Sequence, residues 1–338
     1  MKKIIVTGGA GYIGSHTAVE LMNAGYDVAI IDNLSNSDAS VLGGIEAITG
    51  KQPVFYNIDL CNKEDLNYCL EKEKDADAII HFAAFKAVGE SQQFPMKYYN
   101  NNVVGMVNLL DCIIKNKLNN FVFSSSCTVY GEADELPVTE NSPEKKAESA
   151  YGFTKQIGER MLADVSQADS LRVISLRYFN PIGAHDTAII GELPLGVPNN
   201  LVPFITQTAI GIREQLTVFG NDYNTTDGTC VRDYIHVVDL ASAHVKAMDY
   251  LNQSNENFEV FNVGTGKGST VLEVVKAFEK VAGMALNYQI GPRRPGDVEQ
   301  IWANCEKANT VLGWTAIRNL ETMMADAWRW QQRIGEGE

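Results

Sequence analysis

The chain has 338 residues and is 45% hydrophobic, enough apolar material for one large core and a smaller second lobe. It carries 28 basic against 42 acidic side chains, a formal net charge of −14. That surplus excludes a broad nucleic-acid or anionic-membrane surface, because both need a basic footprint.

From the N-terminus, KIIVT (3–7), DVAIID (27–32), PVFYNID (53–59), AIIHFAA (78–84), NFVFSSS (120–126) and RVISLRYF (172–179) are short, continuous apolar runs. Runs of this kind are buried on both faces of a parallel sheet. Amphipathic segments such as IGSHTAVELMNAG and MVNLLDCIIKNK lie between them, so the pattern predicts right-handed βαβ units. The fold class is α/β, a doubly wound parallel Rossmann-type sheet over residues 1–179. After Asn180 the regularity gives way to Pro- and Gly-bearing segments and isolated helices such as VVDLASAHVKAMDYL. These predict a smaller mixed α/β lobe over 180–338, interleaved with the first through FEVFNVG (258–264). The apolar stripe of MVNLLDCIIKNK suits packing on the sheet and a subunit interface equally.

The opening MKKIIVTGG has too short an apolar run for a signal peptide or a membrane span, and predicts a cytoplasmic protein. Cysteines 61, 69, 112, 127, 230 and 305 show no C-x-x-C spacing and no neighbouring histidines. They read as reduced thiols, mostly buried, and no metal site is expected.

Three segments carry chemistry. TGGAGYIG places Gly8, Gly11 and Gly14 between the first strand and the first helix, where small residues let the backbone approach a pyrophosphate. Asp32 ends the next strand, 24 residues after Gly8, and would accept hydrogen bonds from ribose hydroxyls while repelling a 2′-phosphate. The following NLSNS has no Arg or Lys to neutralise that phosphate, so the cofactor is read as NAD rather than NADP. In HFAAFKAVGES, Ala83 and Ala84 permit close approach and Lys86 can reach a ribose or phosphate oxygen; His81 reads as a core histidine. FSSSCTVYG sets Ser124, Ser125, Ser126 and Thr128 at the same rim. In SAYGFTKQIGE, Tyr151 and Lys155 stand one helical turn apart and share a face. Such a pair alone is more often solvated surface; beside a cofactor cleft it is a proton-transfer device.

TGGAGYIGSH, the S-S-S-x-T-V-Y-G loop and Y-x-x-x-K together resemble the extended short-chain dehydrogenase/reductase family. RYFNPIGAH, GVPNNLVPF, FGNDYNTTDGTCVRDYIHVVDLA and PRRPGD resemble its UDP-galactose 4-epimerases in particular, with matches from Lys3 to Trp314. The resemblance implies a homodimer that holds NAD tightly, takes a hydride from C4 of a UDP-hexose and returns it to the opposite face. By that resemblance Tyr151 is base and then acid, Ser126 hydrogen-bonds the reacting oxygen, and Lys155 holds the nicotinamide ribose and lowers the tyrosine pKa. Moving a phenol from ~10 to ~7 takes ~4 kcal/mol. An ammonium at ~5 Å supplies ~3 kcal/mol of that at an effective dielectric of ~20.

The cofactor residues so implied are the three glycines, Asp32, Ala83, Ala84, Lys86, Tyr151 and Lys155, joined by Tyr12, Ile13, Asn33, Asn36, Ser37, Asp59, Leu60, Phe82, Asn101, Ser124 and Tyr178. On the substrate side, Arg232 and Arg294 are candidates for the diphosphate, since guanidinium binds phosphate as a bidentate fork. Ser126, Phe179, Asn180, Asn200, Leu201 and Tyr234 are further implied contacts. Thr217, Val218 and Phe219 are implied beside the uracil and Asp297 at the uridine ribose.

Sugar-nucleotide 4,6-dehydratases carry an Asp-Glu pair where this chain has Cys127 and Thr128, so dehydration is not expected. A net dehydrogenase that releases NADH and an NAD-sensing regulator are the other classes; the intact Tyr151/Lys155 pair argues against the second. Ile301, just after PRRPGD, is intermediate between a bulky tyrosine and a small residue. Both strict UDP-hexose use and acceptance of UDP-N-acetylhexosamines are therefore open from the sequence.

Overall fold

The computed structural model describes residues 2–251, 253–254, 256–294 and 296–335; Pro295 of the PRRPGD motif lies outside them. Six strands come first: β1 (Lys3–Thr7), β2 (Asp27–Asp32), β3 (Val54–Asn57), β4 (Ala78–His81), β5 (Asn120–Ser124) and β6 (Arg172–Tyr178). The second half adds β7 (Asn180–Ile182), β8 (Leu216–Phe219), β9 (Val231–His236), β10 (Phe258–Val263), β11 (Gly268–Thr270), β12 (Tyr288–Gly291) and β13 (Gln300–Ile301).

One seven-stranded sheet has the order β10-β6-β5-β4-β1-β2-β3, with every neighbouring pair parallel. The winding reverses between β1 and β4, and at such a point the crevice beyond the strand ends takes ligands. Side chains alternate between the two faces as the pleat requires. Ile4, Val6, Ile30, Ile80, Val122 and Ile174 join one apolar layer, and Ile5, Ile31, Ile79, Phe121, Phe123 and Val173 the other. The apolar runs at β4 and β5 are longer than the strands. Phe82 to Ala84 lie beyond β4 and form part of the rim of the crevice, while Ser125 and Ser126 lie beyond β5 without lining it.

The helix Val237–Leu251, expected in the second lobe, instead covers the main sheet. Its Val237, Leu240, Ala243, Ala247 and Leu251 share a cluster with Ile4 and Val6, and it lies against the helix Tyr12–Asn23. The two halves of the sequence thus interleave more deeply than a division at residue 180 implies. The remaining strands form smaller sheets. β7 and β13 pair parallel to β9, β11 pairs antiparallel to it, and β12 pairs with β8. These strands rest on a separate core built from Ile182, Val202, Ile205, Val218, Phe278 and Met324.

All six cysteines are free, four of them buried. His81 is buried with its Nδ1 2.7 Å from the Thr7 hydroxyl, and burial pushes its pKa down to about 3, which is a core role. Among the described residues, no helix is long and apolar enough to cross a membrane and no cluster of His, Cys, Asp and Glu could hold a metal ion.

Candidate active site

The glycine loop is shaped by what it touches. Gly8 has φ +71°, and a Cβ there would stand 2.6 Å from the Ala83 backbone nitrogen. A Cβ at Gly14 would stand 2.2 Å from the Gly8 carbonyl oxygen. Gly11 is the N-cap of the helix Tyr12–Asn23, whose first turn has no acidic residue. Loop, β4 rim and helix therefore meet at distances only glycine allows, leaving backbone N–H groups and the positive helix end facing the crevice. Asp32 braces the loop from the next strand: Oδ2 accepts the Ala10 N–H at 3.1 Å, and Oδ1 accepts from the Leu34 N–H and the Ser37 hydroxyl, both at 2.9 Å. Asn33 donates to Asp59 Oδ2 at 3.0 Å.

These residues line a cavity of about 420 Å³ that also takes in Ile13, Asn36, Leu60, Phe82, Ala84, Asn101 and Tyr178. Tyr12 lines it too, donating its hydroxyl to the Gly183 carbonyl at 2.6 Å. The cradle that a Cβ would fill, the helix N-terminus and a carboxylate with no cation after it fit a dinucleotide without a 2′-phosphate.

Ser124, assigned to the same site, does not line the cavity; it is buried at the end of β5, and only its carbonyl takes part, accepting from Lys155. Lys86 lines the cavity, but its ammonium is 3.1 Å from Glu192 rather than free for a ribose or phosphate. Glu192 also accepts from Asn200 Nδ2 at 2.6 Å, and its carbonyl accepts from Trp330 Nε1 at 2.9 Å. Sequence reading missed it, because it sits in an irregular loop with no motif. Asn102 was missed as well. It is buried in a π-helical turn, Tyr99–Val104, accepts from the Phe85 N–H at 2.9 Å and donates to Thr154 Oγ1 at 3.1 Å. It thereby ties the β4 rim to the helix Ala150–Ala168, and π-turns of this sort recur at functional sites.

The helix Ala150–Ala168 starts on Ser149, whose hydroxyl accepts the Gly152 N–H at 3.1 Å. Tyr151 and Lys155 follow on one face, both buried and both lining the cavity. Lys155 donates to the Ser124 carbonyl at 2.6 Å and lies 4.8 Å from the Phe123 ring centre and 5.9 Å from that of Tyr151. Burial pulls its pKa down to about 8, with Glu159 acting in the opposite direction. Burial pushes the Tyr151 phenol well above its ordinary value and Tyr178 adds to this, while the Ser126 hydroxyl pulls it back in part. The expectation that Lys155 brings the phenol down is thus not met by the protein alone. Its ammonium is turned onto a carbonyl, and desolvation outweighs it.

The serine run divides its work. Ser126 caps the turn Cys127–Tyr130 and stays beside Tyr151. Ser125 faces away from the rim and donates to Glu159 at 2.5 Å. Cys127 is buried with its thiol pushed up to about 12, so it is no acid or base at neutral pH.

Across the crevice, Phe179, Cys127 and Ile301 share one buried cluster. Asn180 stands opposite Tyr234 in the β7–β9 pair, and Ile301 opposite Arg232 in β13–β9. Arg232 donates to the Val231 carbonyl at 2.8 Å. Arg294 forms a fork with Asp297, at 3.1 Å and 2.8 Å, and lies 5.6 Å from the Phe219 ring centre, on the strand that carries Thr217 and Val218. Asn200 precedes the helix Leu201–Ala209 without a side-chain capping bond, and Leu201 packs on the second core. Of these substrate candidates Asn200 lines the cofactor cavity and the others do not.

Residues 5–327 match the family model described as GDP-mannose 4,6 dehydratase. The chain is 52% identical to the UDP-glucose 4-epimerase of Bacillus subtilis, over 97% of this chain and 96% of that one. Among solved structures it is similar to the UDP-glucose-4-epimerase of Stenotrophomonas maltophila with bound NAD and formylated UDP-arabinopyranose (TM-score 0.96, 45% identity, 100% of both chains). It is also similar to the UDP-Glc/GlcNAc 4-epimerase of Campylobacter jejuni (TM-score 0.84, 36% identity, 98% of this chain and 100% of that one). With the glycine cradle, the parallel sheet and near-complete coverage all in agreement, the chain belongs to the GDP-mannose 4,6 dehydratase family and, within it, to the UDP-glucose 4-epimerases, which are NAD-dependent isomerases.

Proposed function

We propose that this chain interconverts UDP-galactose and UDP-glucose by inverting C4 through a transient 4-keto sugar, with NAD retained in the glycine-lined cavity. The observation that carries the reading is the buried Tyr151/Lys155 pair, with Ser126 beside the phenol, on the wall of that cavity. Bound there, NAD supplies a reversible hydride acceptor for C4 and a positive charge near Tyr151.

With the positive charge of NAD added to that of Lys155, Tyr151 would enter the cycle as the phenolate, take the proton of the 4-hydroxyl as C4 is oxidised and give it back on reduction, so proton and hydride balance over the cycle. Ser126 orients the reacting oxygen. Lys155 contributes positive charge, anchored on the Ser124 carbonyl, and holds the cofactor ribose. Arg232 and Arg294 meet the diphosphate, with Arg294 preset by Asp297. Cys127 offers no acid at the position where a dehydratase needs one. UDP-[4-²H]galactose should yield UDP-glucose that keeps its deuterium at C4; washout into solvent would reject an internal return of the hydride.

Ile301 is buried in the wall that also holds Phe179 and is smaller than tyrosine, which favours slower turnover of UDP-N-acetylhexosamines as a second activity. Inertness of UDP-GalNAc under the same conditions rejects that breadth. A homodimer is the assembly supported by the exposed apolar side chains Phe94, Met96, Val104, Val107 and Phe153, and sedimentation at micromolar protein tests it. The six free thiols support a reducing, cytoplasmic setting.

A further inference from the structure

Glu159 follows Lys155 by one helical turn, and both residues are 4% exposed. They reach consecutive residues of the same loop: Lys155 donates to the Ser124 carbonyl at 2.6 Å, while the Ser125 hydroxyl donates to Glu159 at 2.5 Å. Glu159 is otherwise held from β6, by Ser175 Oγ at 2.9 Å and by Arg177, whose Nε reaches its two oxygens at 3.0 and 3.1 Å and whose Nη2 reaches Oε2 at 2.5 Å. Nη2 of Arg177 also donates to Glu144 at 2.5 Å. Glu144 is exposed at the edge of this network.

The buried Glu159, Arg177 and Lys155 together carry a net charge of +1, and the exposed Glu144 carboxylate at the edge of the network brings the group to zero. The other titratable groups around Lys155 do not supply the balance. In the protein without NAD, burial favours the neutral form of the Tyr151 and Tyr178 phenols and of His81 on β4. Buried ion pairs add little net stability, because desolvation cancels most of their attraction. A network placed one turn from the catalytic lysine therefore calls for another explanation.

We propose that Glu159 is a positioning residue for the epimerase reaction: its buried carboxylate ties the Ser124–Ser126 loop to the catalytic helix and supplies the negative charge that keeps the Lys155 ammonium in place. The proposal rests on the reading of Tyr151 and Lys155 as the proton-transfer pair. Removing the Glu159 charge leaves Arg177 as an excess cation near Lys155 and should discharge the lysine at a lower pH. Removing the outer carboxylate, Glu144, should act in the same direction more weakly. Ser125→Ala cuts the tether but leaves every charge in place.

The test is an NMR titration of the full-length protein labelled with [ε-¹³C]lysine, the Lys155 signal being assigned by its loss in Lys155→Met. In Glu159→Gln the Lys155 midpoint should fall by about one pH unit or more, and in Glu144→Gln by less. The alkaline limb of kcat should move down with it while KM for the UDP-hexose holds. Ser125→Ala should lower kcat without moving the midpoint. An unchanged midpoint in Glu159→Gln overturns the proposal. Should that variant fail to fold, an unchanged midpoint in Glu144→Gln overturns it instead. The titration needs no turnover, so failure of the epimerase reading would appear separately, as an inactive wild type with a normal Lys155 shift.

Discussion

Gly14→Ala isolates the cofactor cradle. The added Cβ would lie 2.2 Å from the Gly8 carbonyl oxygen and 2.8 Å from Gly9 Cα, all of it backbone, so no side chain can swing away. An ordinary contact needs roughly 3.2 Å or more, so loop and helix must part by about 1 Å, and overpacking of this kind costs about 1–3 kcal/mol. The displaced helix start carries the first-turn N–H groups at the cavity, so NAD affinity should fall about 5- to 150-fold. Gly50→Ala is the control. Gly50 has φ +71°, unlike the helical Gly14, and no atom lies within 4 Å of its added Cβ, so it should lose about 1 kcal/mol of stability to backbone strain alone and no cofactor. The assay is the amount of nucleotide released on denaturing the purified proteins, with the Kd for added NAD by calorimetry. A Gly14→Ala protein with full NAD content and an unchanged Kd would refute the reasoning.

Tyr151→Phe should keep its NAD and lose about 10²–10⁴ in kcat, the usual worth of a positioned acid–base group; near-normal turnover removes the phenol from the reaction. Arg294→Leu should raise the UDP-hexose Kd tenfold or more, and equal heats of binding by calorimetry would reject its phosphate role. Lys155 gives a pH signature. Its folded pKa is lowered from 10.5 to about 8, so between those values the unfolded state binds more protons and stability rises with pH. Relative to Lys155→Met, the wild type should therefore gain stability from pH 8 to 10.5, by on the order of 3 kcal/mol at most. Parallel urea stability curves across that window would contradict the buried-ammonium assignment.

What was legible in the sequence was local. Ile4 to Val6 and their counterparts form unbroken β-branched strands, and the spacing of Gly8, Gly11, Gly14 and Asp32 is set within one βαβ unit, so composition alone exposes them. The strand ends were overrun because Phe82 and Ala83 are as apolar as the strand but turn out to line the crevice. Val237 to Leu251 looked like part of the second lobe because an amphipathic stripe does not say which surface it covers. Glu192 and Glu159 were invisible for a different reason. Glu192 is defined by Lys86, Asn200 and Trp330, and Glu159 by Ser125, Ser175 and Arg177; most of these partners lie far away in the chain. The burial of Tyr151 and the turn of the Lys155 ammonium onto the Ser124 carbonyl exist only in the folded chain, so spacing could not show them.

The most direct measurement is to incubate the purified protein with UDP-galactose and no added cofactor and to follow the hexose by proton NMR. Wild type should bring UDP-galactose and UDP-glucose to the same final ratio from either side, and Tyr151→Phe should leave both untouched. No conversion by the wild type even after NAD is supplied, or NADH accumulating in step with sugar oxidation, would contradict the epimerase assignment.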